Sequence, residues 1–141
     1  MYGPYTPEGK LLFLDWIKGI QMPDEVDWML LGDFNLLRKP EDRNRDGGNL
    51  NEMLLFNEAI SSLGLNEIVL QGRKFTCTNM QTPPLLEKLD WVFTSSSWNI
   101  SFPTTSARAL DMVPSDHTPY IVSISTVIPK SKVFRFENYW L

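Results

Sequence analysis

Three short runs hold residues whose types and spacing suit acid–base chemistry. In the first, Leu31-Gly32-Asp33-Phe34-Asn35, a short apolar stretch ends in glycine, and a carboxylate and an amide follow with one aromatic between them. Alternate residues of an extended chain point the same way, so Asp33 and Asn35 are expected on one face while Phe34 anchors the other. The second, Leu89-Asp90-Trp91-Val92-Phe93, sets a carboxylate inside an apolar stretch, where it is costly unless something pairs with it. The third, Ser115-Asp116-His117-Thr118-Pro119, carries the single histidine. Asp90 is a natural partner for His117, because a carboxylate accepting from one ring N–H fixes the tautomer and favours the charged ring. Each run also has a plainer reading. Asp and Asn in Gly-Asp-Phe-Asn often bond only the local backbone, an aspartate in a strand can cap a turn, and a lone histidine is more often structural.

Composition narrows the chemistry. The chain has 141 residues, 43% hydrophobic and 21% charged, which is ordinary for one globular domain. A net charge of −4 argues against binding nucleic acid through a broad basic surface. It leaves room for an enzyme whose carboxylates hold a cation. One cysteine, Cys77, allows no intrachain disulfide and fits a reducing compartment. One histidine and one cysteine exclude an ordinary zinc site, so any metal is expected on oxygen ligands: Mg²⁺, Mn²⁺ or Ca²⁺. No apolar run approaches the roughly 20 residues that span a bilayer, and Met1-Tyr2-Gly3-Pro4 does not begin a signal peptide. No membrane association is expected.

The elements that must position these residues follow from periodicity. Tyr2 to Pro7 reads as loop, Leu11 to Ile20 as helix ended by Pro23, and Trp28 to Leu31 as a buried strand. Arg38 to Gly48 is a polar loop of mixed charge. Asn49 or Asn51 caps a second helix, Leu50 to Leu63, which Gly64 stops. Short strands are expected at Glu67–Leu70, Lys74–Thr78, Lys88–Thr94, Arg108–Met112 and Tyr120–Val127, with an alternating tail at Val133–Trp140. Two helices among many short strands make a mixed α/β chain of the α+β kind rather than a doubly wound parallel sheet.

Together and in this order, Gly32-Asp33-Phe34-Asn35, Leu89-Asp90-Trp91-Val92-Phe93 and Ser115-Asp116-His117 resemble the three C-terminal signatures of the endonuclease/exonuclease/phosphatase superfamily. Tyr2-Gly3-Pro4 resembles a fourth, the tyrosine loop near the middle of that domain. The sequence is most similar to the endonuclease region of non-LTR (LINE-type) retrotransposon polyproteins, from Tyr2 to about Val127. Phe134 to Trp140 is similar to the start of the linker toward the reverse transcriptase. The resemblance implies a partial domain over 1–128 and a tail or linker start over 129–141. It implies part of a two-sheet β-sandwich flanked by helices, with the N-terminal half of the domain absent.

The activity so implied is hydrolysis of phosphodiesters, DNA above all, with Mg²⁺ or Mn²⁺. Carried over by motif, Asp33 would deprotonate the attacking water and Asn35 would bond that water or the phosphoryl group. His117, held by Asp90, would donate to the phosphoryl oxygen, Tyr2 would contact the phosphate, and Asp116 would help hold the metal. The family's other metal ligands, an Asn and a Glu, belong to its N-terminal half. Glu8, Glu25 and Glu41 do not match that motif. The chain alone is therefore expected to be inactive, and its open strand edges are expected to need that half or a partner for stability. Cys77 stands where relatives usually carry an aromatic. An intracellular, nuclear location follows only from the family. The alternatives left open are a non-catalytic retrotransposon-derived fragment and a phosphate- or nucleic-acid-binding remnant. The acidic charge weakens the latter, and the mixed-charge loop from Arg38 to Arg45 is its best support, although charge runs are usually solvated loops.

Overall fold

The computed structural model describes residues 1–111 and 115–124. Helix α1 spans Pro7–Lys18: Thr6 caps it by accepting from the Gly9 N–H at 3.2 Å, and Pro7 occupies its first turn. It ends at Gly19, before the expected stop at Pro23. Helix α2 spans Leu50–Ser62, with Asn49 accepting from the Glu52 N–H at 3.1 Å and Gly64 turning left-handed just beyond at φ 62°. The helices pack side by side, and Lys10–Glu52 and Lys18–Glu58 ion pairs, both 3.4 Å, bridge them.

The central sheet has the order β1-β6-β2, with β1 at Met29–Asp33, β6 at Asp90–Thr94 and β2 at Asn66–Glu67. Strand β6 runs antiparallel to both neighbours, and its register sets Gly32 opposite Trp91 and Asp33 opposite Asp90. Against this sheet the helices bury Leu14, Ile17, Phe56, Ala59 and Ile60, together with Phe34, Trp91 and Phe93. The aromatic rings form one cluster: Phe34 meets Phe56 and Phe93 with centroids 5.6 Å apart, and Phe56 meets Trp91 at 6.0 Å. Each such side chain removed from water stabilises the fold by roughly 1.5–3 kcal/mol, so this cluster fixes the ends of β1 and β6 firmly.

A second sheet has the order β3-β7-β8, from Leu70–Gln71, Ser106–Ala109 and Tyr120–Ser123. A third pairs β4, Cys77–Thr78, with β5, Leu86–Glu87. A short helix α3, Ser96–Ser101, follows β6, with Ser95 capping it. The described residues thus form a small α+β domain with three helices and three separate sheets.

Several expected boundaries move. The strand expected at Lys74–Thr78 shrinks to two residues, and that at Lys88–Thr94 begins at Asp90. The strand expected at Arg108–Met112 lies earlier, at Ser106–Ala109. Helix α3 was not anticipated: its six residues are too few for a periodic pattern, and the run Ser95-Ser96-Ser97 reads equally as a turn. The proposed tail at Val133–Trp140 lies outside the described residues. Among the described residues no helix is long and apolar enough to cross a membrane.

Candidate active site

The three motifs converge at one end of the central sheet. Asp33 closes β1 and Asp90 opens β6, directly opposite one another. Like charges set opposite across a ladder are unfavourable, and both carboxylates are largely withdrawn from water, with side chains 8% and 10% exposed. His117 resolves the conflict. Its Nδ1 lies 3.1 Å from Asp90 Oδ2 and its Nε2 lies 3.5 Å from Asp33 Oδ2. One imidazole therefore bridges two aspartates from different strands.

The protonation states follow from this packing. Burial lifts the Asp33 carboxyl above its ordinary value; the Asn35 N–H opposes that, and the Asp90 charge adds to it. For His117 burial disfavours the charged ring, but the hydrogen bond to Asp90 and the charges of Asp90, Asp33 and Asp116 outweigh it, so its pKa is raised. Tyr120 lies in the same field. Burial first, then Asp90 and Asp33, push its hydroxyl up to about 12. Cys77 also borders the imidazole, with Sγ 3.9 Å from Nε2, and burial with the surrounding carboxylates pushes its thiol up to about 11.

Thr76 holds the arrangement together, and nothing in the sequence singled it out. It is fully buried, and its hydroxyl accepts from the backbone N–H groups of Leu89 at 3.0 Å and Asp90 at 3.1 Å. Its carbonyl accepts from the Thr118 N–H at 2.7 Å. One residue thus ties the segment carrying Asp90 to the segment carrying His117. In sequence Thr76 looks like any other residue of the strand expected at Lys74–Thr78, and it lies just before the two-residue β4, so no signal was there to find. Beside it, Cys77 forms a bridge with His117.

The remaining candidates sit differently. Phe34 is fully buried and anchors the turn as expected. Asn35 does not extend the strand. Its backbone is left-handed at φ 52°, and its N–H donates to Asp33 Oδ1 at 2.9 Å. Its side-chain amide donates to the Gly3 carbonyl at 2.6 Å. The simple alternation that would put Asp33 and Asn35 on one face therefore fails at the strand's end, where local side-chain-to-backbone bonding takes over. Asn35 lines a separate hollow of about 330 Å³ with Lys10, Arg43, Glu52 and Glu87. Tyr2 is bridged to Asp33 through its backbone while the residue as a whole is 76% exposed. Gly3 permits this approach, because a Cβ there would stand 2.2 Å from the Phe34 carbonyl oxygen.

Asp116 is exposed, with its carboxylate 3.5 Å from the Ser115 hydroxyl, while its backbone carbonyl accepts from the Thr78 N–H. Carboxylate oxygen suits Mg²⁺ or Mn²⁺. Among the described residues, however, no group of three or more acidic, histidine or cysteine side chains is arranged to hold a metal. Asp33 and Asp90 are both turned to His117, whereas Asp116 faces solvent. A hollow of about 740 Å³ lies elsewhere, lined by Trp91 of β6.

No family model, no curated protein and no solved structure matches the chain. The class is therefore defined by its own geometry: an α+β domain with an aspartate–histidine–aspartate centre at the end of its central sheet.

Proposed function

We propose that this domain is the acid–base portion of a divalent-metal-dependent phosphodiester hydrolase acting on nucleic acid, of the endonuclease/exonuclease/phosphatase kind. The observation that carries the proposal is the single imidazole bridging Asp33 and Asp90, drawn from the three motifs that suggested that superfamily. In this reading the two larger sheets belong to the two layers of the family's sandwich.

Hydrolysis of a phosphodiester requires little covalent help. It requires a placed nucleophile and stabilisation where negative charge grows. Asp33, buried and raised in pKa, is a stronger base than an exposed aspartate and is positioned to accept a proton from water. His117, held charged by Asp90, donates from Nε2 to a phosphoryl oxygen. Nε2 and Asp33 Oδ2 stand 3.5 Å apart, so a substrate or water oxygen placed beside the pair can reach both. Asn35, fixed to Gly3, sets the turn that aims Asp33. Bound Mg²⁺ or Mn²⁺ would neutralise charge on the phosphoryl group, with Asp116 as this chain's contribution to its oxygen ligands.

The test combines binding and turnover. Nuclear magnetic resonance of the His117 ring during titration with a dinucleoside monophosphate and Mg²⁺ should show a saturable shift, absent in Asp90→Asn. No shift at His117 would overturn the hydrolase reading. Supercoiled plasmid with Mg²⁺ should remain intact with this chain alone. Nicking that EDTA, Asp33→Ala and His117→Ala each abolish would instead show that one carboxylate ligand suffices.

A further inference from the structure

A hollow of about 740 Å³ is lined by Trp91. Trp91 follows Asp90 in β6, and successive strand residues face opposite ways, so this cleft is on the opposite face of the sheet from His117. Five of the chain's 13 Lys and Arg residues line it, against two carboxylates, although the chain as a whole carries −4. The five, Arg38, Lys39, Arg73, Lys74 and Lys88, come from three separate stretches of sequence. The volume falls within the usual range for small-ligand sites, roughly 300–1,000 Å³.

The two carboxylates do not cancel this charge where a ligand would meet it. Asp42 is 2% exposed, and its Oδ2 is occupied by the backbone N–H groups of Arg38 and Lys39, both at 3.0 Å. Glu67 gives one oxygen to Arg38 at 3.1 Å and the other to Lys88, making a fixed platform of two cations. Both cations also lie over aromatic rings, Lys88 at 4.2 Å and Arg38 at 5.7 Å from the Trp91 centroid. Above that platform, Lys39 and Lys74 have no carboxylate within ion-pair distance among the described residues. Of the remaining lining, Asn57 is tied to Arg38, and Leu70 with Val69, which is 66% exposed, gives an apolar stretch of wall.

We propose that this cleft binds a nucleoside phosphate, with the phosphate among the lysines and the base or sugar against Val69 and Leu70. A cationic pocket with an exposed apolar wall fits a ligand anionic at one end and ring-like at the other. A peptide of Asp and Glu alone offers no ring for that wall. Arg73 and Lys74 also line a smaller hollow with Cys77, Asp116 and Thr118, so the cationic lining continues toward the residues beside His117. The cleft requires no turnover at His117, and it stands or falls separately from the hydrolase reading.

Fluorescence anisotropy of a labelled oligothymidylate, in EDTA, tests the assignment. Two phosphate contacts removed should weaken single-strand binding roughly 25-fold near 0.1 M salt and lower the salt slope by about 1.4. That is the result expected for Lys39→Gln/Lys74→Gln, whose positions make no ion pair and whose folding is checked by circular dichroism. Lys10→Gln/Lys18→Gln removes the same charge from α1, outside the cleft lining, and should leave binding within about twofold, with folding checked the same way because the Lys10–Glu52 pair is part-buried. Thymidine monophosphate displacing the oligomer at concentrations near its own dissociation constant marks a free-nucleotide site. Displacement only by excess marks a strand-backbone site. Failure of the unmodified chain to bind either ligand would overturn the proposal, as would equal loss in both double variants or stronger displacement by polyglutamate.

Discussion

Replacing Thr76 by valine keeps the shape of the side chain and removes one oxygen. That oxygen accepts from two backbone N–H groups, at Leu89 and Asp90, inside a fully buried position. A buried donor left without its acceptor costs about 1–3 kcal/mol. Two such donors, less some local relaxation, place the expected loss at roughly 2–5 kcal/mol. Domains of this kind are held by only about 5–15 kcal/mol, so the change is a large fraction of the total. For a chain of 141 residues, at roughly 3–4 °C per kcal/mol, the thermal midpoint should fall by roughly 6–20 °C. Thr76→Ser keeps the hydroxyl and loses one methyl, so it should cost only about 1 kcal/mol. Urea unfolding of the three proteins, followed by tryptophan fluorescence and circular dichroism, gives the comparison. The Thr76 carbonyl still holds Thr118 in the valine variant, but the Asp90 N–H loses its acceptor, so Asp90 should shift against His117 and the pKa of the ring should fall, read by nuclear magnetic resonance. A stability loss under about 0.5 kcal/mol for Thr76→Val, or equal losses for valine and serine, would refute the reasoning.

Stability should also depend on pH. His117 has a folded pKa above its ordinary 6.5, so the folded chain keeps a proton that the unfolded chain releases. Its contribution is complete below that ordinary value and is lost as pH rises through the folded one. Asp33, raised from 3.8, acts in the same direction at lower pH. Urea midpoints should therefore decline from mildly acidic toward alkaline pH, modestly because the His117 side chain is 34% exposed, and His117→Gln should flatten the decline above 6.5. A thiol lifted from 9.0 to about 11 carries roughly 100-fold less thiolate at neutral pH, so Cys77 should alkylate about that much more slowly than a free thiol; labelling by iodoacetamide at the free rate would contradict the burial. Gly3→Ala would drive a Cβ into the Phe34 carbonyl oxygen and displace the Tyr2–Gly3 segment from Asp33 and Asn35. The expected cost is at least 1–3 kcal/mol, and an unchanged thermal midpoint would show that the segment is not held there.

The motif residues were legible because each breaks a pattern. Asp90 interrupts an apolar strand, His117 has no duplicate, and Asp33 follows a glycine at a strand's end. An unpaired carboxylate in such a place is costly, so the sequence alone required a partner for Asp90 and offered one histidine. Helices α1 and α2 were legible for a similar reason, since a capping side chain, an apolar stripe and a glycine stop are all local features, whereas the short α3 was not. The rest depended on contacts between distant segments. Whether Asp33 would join Asp90 at one imidazole was set by the register of β1 on β6, which no local pattern encodes. Asn35 left the strand because the Asp33 carboxylate and the Gly3 carbonyl offered its two donors better partners than an extended ladder. Thr76 gained its role only when two chain segments closed over it. The cationic cleft arose on an acidic chain because folding gathered lysines and arginines from three stretches and turned both nearby carboxylates inward. Composition fixes how much charge a chain carries, but only tertiary packing decides where that charge meets solvent.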